Sequence, residues 1–249
     1  MDTIVLEQRV QQSLDTLGVA QKVQEKFWLY ARLLKDHALN MYEHSLRVGL
    51  YAQGIGALEK SAREPERLLL LGGGLHDIGK VSYDKDLFTE RNITMEEYNL
   101  LKGHARKGFE LLRGELGLTA MIAGMHHLKY HATEWVETSE ATDDEQPKGY
   151  GISLAEMPFT VHKTTRRKIV ECAKIVSMCD FFDALITRTT CCMTLIEHID
   201  RNDPVAATKA MSNVYYGIPN HEQAASRVSW LYENKIEKLC NYRDVSGKK

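Results

Sequence analysis

His76-Asp77 sets a nitrogen ligand beside an oxygen ligand, and Lys80 follows three residues later. The pair closes the stretch Leu68 to Lys80, LLLLGGGLHDIGK, whose apolar run can be buried on all sides. A buried helix ending in such a trio offers donors for a metal ion and a cation for a phosphate. Alone, the dipeptide is common, so its meaning depends on what the rest of the chain adds. His44, His104, His126-His127 and Asp180 supply five more side chains of the same two kinds. With the first pair they make too many ligands for one ion and enough for two. Imidazoles mixed with carboxylates suit iron or manganese better than a thiolate-rich zinc site does. Two such ions ~3.5–4 Å apart can share a bridging hydroxide and clamp a phosphoryl group for in-line attack. The chemistry indicated is metal-assisted hydrolysis of a phosphate ester, with Asp77 and Lys80 as its catalytic candidates.

Helices must carry these residues. Apolar spacing at Val10, Leu14 and Leu17, then at Phe27, Ala31 and Leu34, predicts two helices over residues 1–39 with a break at Gly18. They are expected to pack on the body as a scaffold or as the surface of a homodimer, with His37 on the outside. Asn40 to Arg63 is a third helical stretch with His44 in its first turns, and Pro65 opens the next. Gly72 to Gly74 are poor helix formers, and their use is to let another helix approach closely. Thr94 with Glu97 reads as a capping box starting one helix that continues through His104 to Leu112. Leu118 to His131 is helical again; adjacent histidines on a helix diverge by ~100°, so His126 and His127 could serve two different metals.

From Ala132 to His162 the pattern fails around an acidic segment, and this insertion reads equally as a lid or as a passive loop. Thr164 to Thr187 returns to helix, with Asp180 and Asp183 on one side. Helices around Pro204 to Tyr215 and His221 to Cys240 close the chain, and nothing requires a strand. The expected organisation is N-terminal helices over residues 1–39, then one domain over 40–249 with its insertion at 132–162.

The composition narrows the alternatives. With 249 residues the chain can bury a large core. A net charge of −2 gives no reason to expect a long nucleic acid or an anionic membrane as partner. No apolar run reaches the roughly eighteen residues a membrane span needs, and no signal peptide is visible after Met1-Asp2. Five cysteines without CxxC spacing read as reduced residues of a cytoplasmic protein.

The order H…HDxGK…H…HH…DxxDAL resembles the HD superfamily of metal-dependent phosphohydrolases, and within it the HD-GYP branch. The resemblance runs from about His44 to Cys192 and extends between the ligands. LLKGHARKGFELL is similar to that branch's KxHxxxGxxxL segment, and IVSMCDFFDAL to its closing aspartate helix. It implies an all-α helical bundle in which His76, Asp77 and Asp180 hold the core metal. His104, His126 and His127 would complete a two-metal site, with His44 on the first helix of the core. It further implies a metal-bound hydroxide as nucleophile, Lys80 on a phosphate oxygen, and a nucleotide or cyclic dinucleotide as substrate in a signalling role. Tyr150, Asp183 and Arg188 join Lys80 as candidate substrate contacts.

Departures from the branch fall away from the ligands. Asn40 stands where the branch has a glutamate associated with a third metal, which favours two ions. Leu128-Lys129 follow the paired histidines in place of Glu-Arg, Gly149-Tyr150-Gly151 is the nearest counterpart of GYP, and Arg188 is displaced by one position. These are recognition positions, so the resemblance leaves cyclic di-GMP specificity open. Two other readings remain: a member that binds a nucleotide or partner without turnover, and a di-iron oxygenase. The extra histidine at His126-His127 and Lys80 count against the oxygenase. His131 could join the site but reads as a solvated helix end, and His162, His198 and His221 have no partners in the pattern.

Overall fold

Apolar side chains at helical spacing fold this chain into nine α-helices among the described residues, with no strand among them. The structure is a computed structural model that describes residues 2–59, 63–88, 94–127, 151–152, 161–187 and 221–234. The helices are α1 (Thr3–Thr16), α2 (Gln21–His37), α3 (Leu39–Leu58), α4 (Arg63–Leu75), α5 (Met95–Leu101), α6 (His104–Leu112), α7 (Gly117–Met125), α8 (Lys163–Thr187) and α9 (His221–Glu233). Two 3-10 turns, Ile78–Ser82 and Lys85–Phe88, connect α4 to α5.

The Asp2 carboxylate accepts the Ile4 N–H at 2.9 Å and starts α1, satisfying one of the donors a helix leaves free at that end. Gly18, at φ +65°, turns the chain into α2 as its position in the sequence predicts. A single extended residue, Ala38, ends α2 and begins α3. Leu6, Val10 and Leu14 of α1 and Phe27, Ala31 and Leu34 of α2 are buried against Leu70, Leu71 and Leu75 of α4. On the other side of α4, Leu68 and Leu69 join Tyr51, Ile55, Ile122, Val176 and Phe182 in a second cluster, closed by Val228 and Leu231 of α9. Every residue from Leu68 to Leu75 is buried, so α4 is the wall shared by both cores.

The three glycines of α4 explain how its end reaches the other helices. A Cβ at Gly73 would lie 2.8 Å from the Gly49 Cα, and one at Gly49 would lie 2.8 Å from the Leu70 carbonyl oxygen. Helices α3 and α4 therefore cross backbone on backbone, which brings His44 and His76 to a ring separation of 5.3 Å. Gly72 and Gly74 make room for Ile122 and Phe27. Gly73→Ala tests this crossing. Alanine is better in a helix interior by about 1 kcal/mol, but overpacking against backbone that cannot swing aside costs about 1–3 kcal/mol. The expected net result is a lower denaturant midpoint; a higher one would mean the helices have slack at the crossing.

Two expectations about helices need correction. The segment from Thr94 does open on a capping box, with Thr94 N–H on Glu97 Oε2 at 2.8 Å and Glu97 N–H on Thr94 Oγ1 at 3.2 Å. It does not continue to Leu112 as one helix. It stops at Leu101, and α6 restarts at His104. The His104 ring takes the Leu101 carbonyl at 2.6 Å, and Gly103 lies so close to Tyr83 that a Cβ there would be 2.9 Å from the phenol oxygen. Helix α7 likewise ends at Met125, so His126 and His127 lie in the turn beyond it rather than on a helix. The expected extension through residues 128–131, the helix at Pro204 to Tyr215, most of the acidic insertion and residues 235–240 lie outside the described residues. Cys172 and Cys179 are free and buried. Among the described residues no helix is long and apolar enough to cross a membrane. His37 is not simply a surface residue: its ring packs on Phe88, and Nε2 is buried without a hydrogen-bond partner.

Candidate metal centre

Each ligand candidate sits where a helix begins or ends, or where two helices cross, and these places converge. His76 caps the buried end of α4, and Asp77 starts the 3-10 turn in which Lys80 N–H returns to the Asp77 carbonyl at 2.9 Å. Gly79 lets this turn sit directly on α6, because a Cβ there would fall 1.9 Å from the His104 carbonyl oxygen. His104 opens α6, His126 closes α7, His44 lies near the start of α3, and Asp180 and Asp183 project from α8.

The imidazoles share one orientation. Nδ1 of His76, His104 and His126 each donates to the carbonyl three residues earlier, Gly73 at 2.7 Å, Leu101 at 2.6 Å and Ala123 at 2.6 Å. A carbonyl can only accept, so the proton is on Nδ1 and the Nε2 lone pair faces inward in the neutral ring. His44 likewise turns Nε2 inward, but it lies between two carboxylates, with Nδ1 2.8 Å from Asp183 Oδ2 and Nε2 3.0 Å from Asp180 Oδ1. His127 Nε2 lies 3.2 Å from His104 Nε2, which is itself 3.3 Å from His126 Nε2. His104 and His126 both carry their protons on Nδ1, so their Nε2 lone pairs face each other and repel unless a cation stands between them. His76 Nε2 is buried and has no hydrogen-bond partner, which at such a site normally costs stability. Both observations fit a metal ion.

Asp77 reaches both halves of this arrangement. Its Oδ1 is 3.2 Å from His104 Nε2, while Oδ2 is 3.5 Å from His76 Nε2, 3.7 Å from His44 Nε2 and 2.5 Å from the Lys80 ammonium. Asp180 Oδ1 lies 3.0 Å from His44 Nε2 and 3.6 Å from His76 Nε2. Donor atoms within 4.8 Å of one another form three overlapping groups: His104 with His126 and His127, His44 with His76 and Asp77, and His76 with His126 and Asp180. All seven side chains singled out as ligands are thus brought together. Asp183 is not beside them in the same sense. It is 0% exposed and spends both oxygens on His44 and on Arg47, whose Nε and Nη2 donate at 2.7 and 2.9 Å. That geometry sets it behind His44, on the side away from Asp180.

Arg47 escaped the sequence reading. Its signal was available, because it follows His44 by three residues just as Asp183 follows Asp180, and so shares the His44 face of its helix. Asn40 is occupied locally: its amide nitrogen donates to the Phe88 carbonyl at 3.3 Å and its oxygen accepts the Met41 N–H at 2.8 Å. Tyr150 and Arg188 lie outside the described residues. Gly151-Ile152, the end of the GYG segment, is anchored on α7: Ile152 N–H donates to the Gly124 carbonyl at 2.9 Å and Ile152 is buried.

Burial and charge act against each other here. Burial pushes the Asp77 carboxyl up, but Lys80, His76 and His104 outweigh it and hold it well below the usual carboxylate range. Burial likewise raises Asp180, and His44 and His76 more than reverse the effect. Burial lowers His126 far below the ordinary imidazole value, and His127, His76 and His104 push it further down. Burial and His104 bring His127 down to about 3. These two rings stay neutral, the state that binds metal.

A pH effect on the metal-free chain follows. Below about 6.5 the unfolded chain protonates His126 and His127 while the folded chain does not. Folding then releases protons, and stability must fall as the pH drops. The expected slope is about 1.4 kcal/mol per pH unit for each proton, until His127 protonates in place at about 3. Despite its burial, His76 is raised by Asp77 and Asp180 and has the opposite sign, losing its contribution as the pH rises above about 6.5. Urea midpoints of chelator-treated protein between neutral and acid pH check this; a midpoint that rises on acidification contradicts it.

The sequence model of the HD domain matches residues 41–185, more than half of the chain. The chain belongs to the HD domain family. The match takes in α3 through nearly all of α8 and leaves α1, α2 and α9 outside. Over 144 residues this HD protein is 29% identical to the cyclic di-GMP phosphodiesterase response regulator RpfG of Xanthomonas campestris pv. campestris (strain 8004). The aligned stretch covers 56% of this chain and 30% of RpfG, so the chain corresponds to less than a third of that relative. In fold it is similar to the HD domain of the L. monocytogenes phosphodiesterase PgpH, with a TM-score of 0.52 and 15% identity over 84% of this chain and 98% of that one. The resemblance read from the ordered histidines and aspartates, and the all-helical fold it implied, are borne out.

Proposed function

We propose that this HD domain is a dinuclear-metal phosphodiesterase that hydrolyses a cyclic dinucleotide or a related nucleotide. The observation that carries the reading is the convergence of inward-facing Nε2 atoms on both sides of the Asp77 carboxylate. RpfG and PgpH, both named as phosphodiesterases, support the reaction class. His44, His76, His104, His126, His127, Asp77 and Asp180 would hold two divalent cations, with iron and manganese the best match to imidazole and carboxylate donors. When bound, such a pair supplies an acidified water as nucleophile and neutralises charge on the phosphate. Asp77, with one oxygen toward each half, ties the halves together. Lys80 presents its ammonium at the same carboxylate and takes a phosphate oxygen, offsetting the negative charge that grows as the P–O bond breaks.

The test is metal analysis of the purified protein combined with a hydrolysis screen across cyclic di-GMP, cyclic di-AMP and simple nucleotides. Two equivalents of metal and a linear dinucleotide product are expected. Metal without turnover on any of them would instead indicate a binding module. Oxygen consumption with a mixed-valent iron signal would indicate an oxygenase.

A further inference from the structure

Among the imidazoles of the centre whose Nδ1 partner is described, three lean on backbone carbonyls and His44 leans on a buried carboxylate. The difference is chemical. A carbonyl holds a ring in place, whereas a carboxylate also raises the electron density that the ring's other nitrogen offers to a metal. Asp183 is itself held fast: Arg47 grips both of its oxygens, and the Thr187 hydroxyl donates to its carbonyl at 2.6 Å. The strut runs from α3 to α8 behind the centre.

We infer that Arg47 and Asp183 are positioning residues that keep His44 as its Nδ1–H tautomer and strengthen metal binding at the His44, His76, Asp77 group relative to the all-imidazole group of His104, His126 and His127. The inference rests on the two-metal reading above. It gives the two ions unequal affinities and assigns the difference to two residues that touch neither metal nor substrate.

Asp183→Asn discriminates this from a merely structural strut. Arg47, which only donates, claims the asparagine oxygen. The asparagine NH2 then faces His44 Nδ1, driving the proton onto Nε2, the nitrogen that should bind metal. Titration of chelator-treated protein with Mn(II), followed by calorimetry, is expected to show two binding steps in the parent. In Asp183→Asn the tighter step should weaken about 10–100-fold, the usual cost of losing such a partner, with the weaker step unchanged. Adding Arg47→Met frees the asparagine to rotate its oxygen toward His44, so the double variant should recover affinity that the single variant lost. It also removes the buried unmatched cation, so it carries the test if the single variant does not fold. Circular dichroism and Tm of the metal-free proteins monitor the fold separately.

A parent protein that takes up no Mn(II) would overturn the metal reading itself. Two normal steps in Asp183→Asn, equal losses in both steps, or a double variant weaker than the single one would each overturn the positioning role alone.

Discussion

Asp77→Ala is expected to lose metal and activity together. The side chain is 1% exposed, and its two oxygens face different groups of imidazoles. Asp180 groups with His126 as well as with His76, but its contacts to His44 and His76 both run through Oδ1, whereas Asp77 turns a separate oxygen to each half. Alanine would leave the two halves without a common ligand and the Lys80 ammonium without its partner. That ammonium can swing toward solvent, since its side chain is 14% exposed, so the fold should survive. Removing one transition-state donor typically costs about 10²–10³-fold in rate. A ligand shared by both ions should cost more than that, with bound metal falling from two equivalents to one or none. An alanine variant that hydrolyses substrate at the parent rate would show that the centre is wrongly assigned.

Lys80→Ala should separate binding from chemistry. Lys80 stands on Asp77 Oδ2 and is among the groups that hold the Asp77 carboxyl ionised. Its removal takes away a positive charge that competes with metal, so metal content should be retained or rise. The phosphate oxygen, however, loses its neutralising partner, and kcat is expected to fall about 10²–10³-fold. Metal lost in parallel with rate would make Lys80 a structural neighbour of the ligands instead.

How far the sequence could be read depended on whether the determining interaction was local. Gly18 and the pairing of Thr94 with Glu97 act within a few residues, and both did what their types require. Helical spacing of apolar residues placed α1, α2, α3 and α8 for the same reason. The order of histidines and aspartates picked out the side chains that the fold brings together, because few residue types can hold a hard or borderline cation.

What tertiary structure alone decided is how that set is divided and oriented. The break between α5 and α6 falls at Gly103, where the His104 ring donates to the Leu101 carbonyl and the Tyr83 side chain, twenty residues away, leaves little room for a Cβ. Nothing in the spacing of Asp180 and Asp183 shows that they would grip opposite nitrogens of one imidazole, so that one faces the centre and the other stands behind it. The arrangement around His44 depends on α3 meeting both α4 and α8 at close range. Residue type and order specify what a side chain can do, whereas contacts between residues more than a hundred positions apart specify which neighbour it does it with.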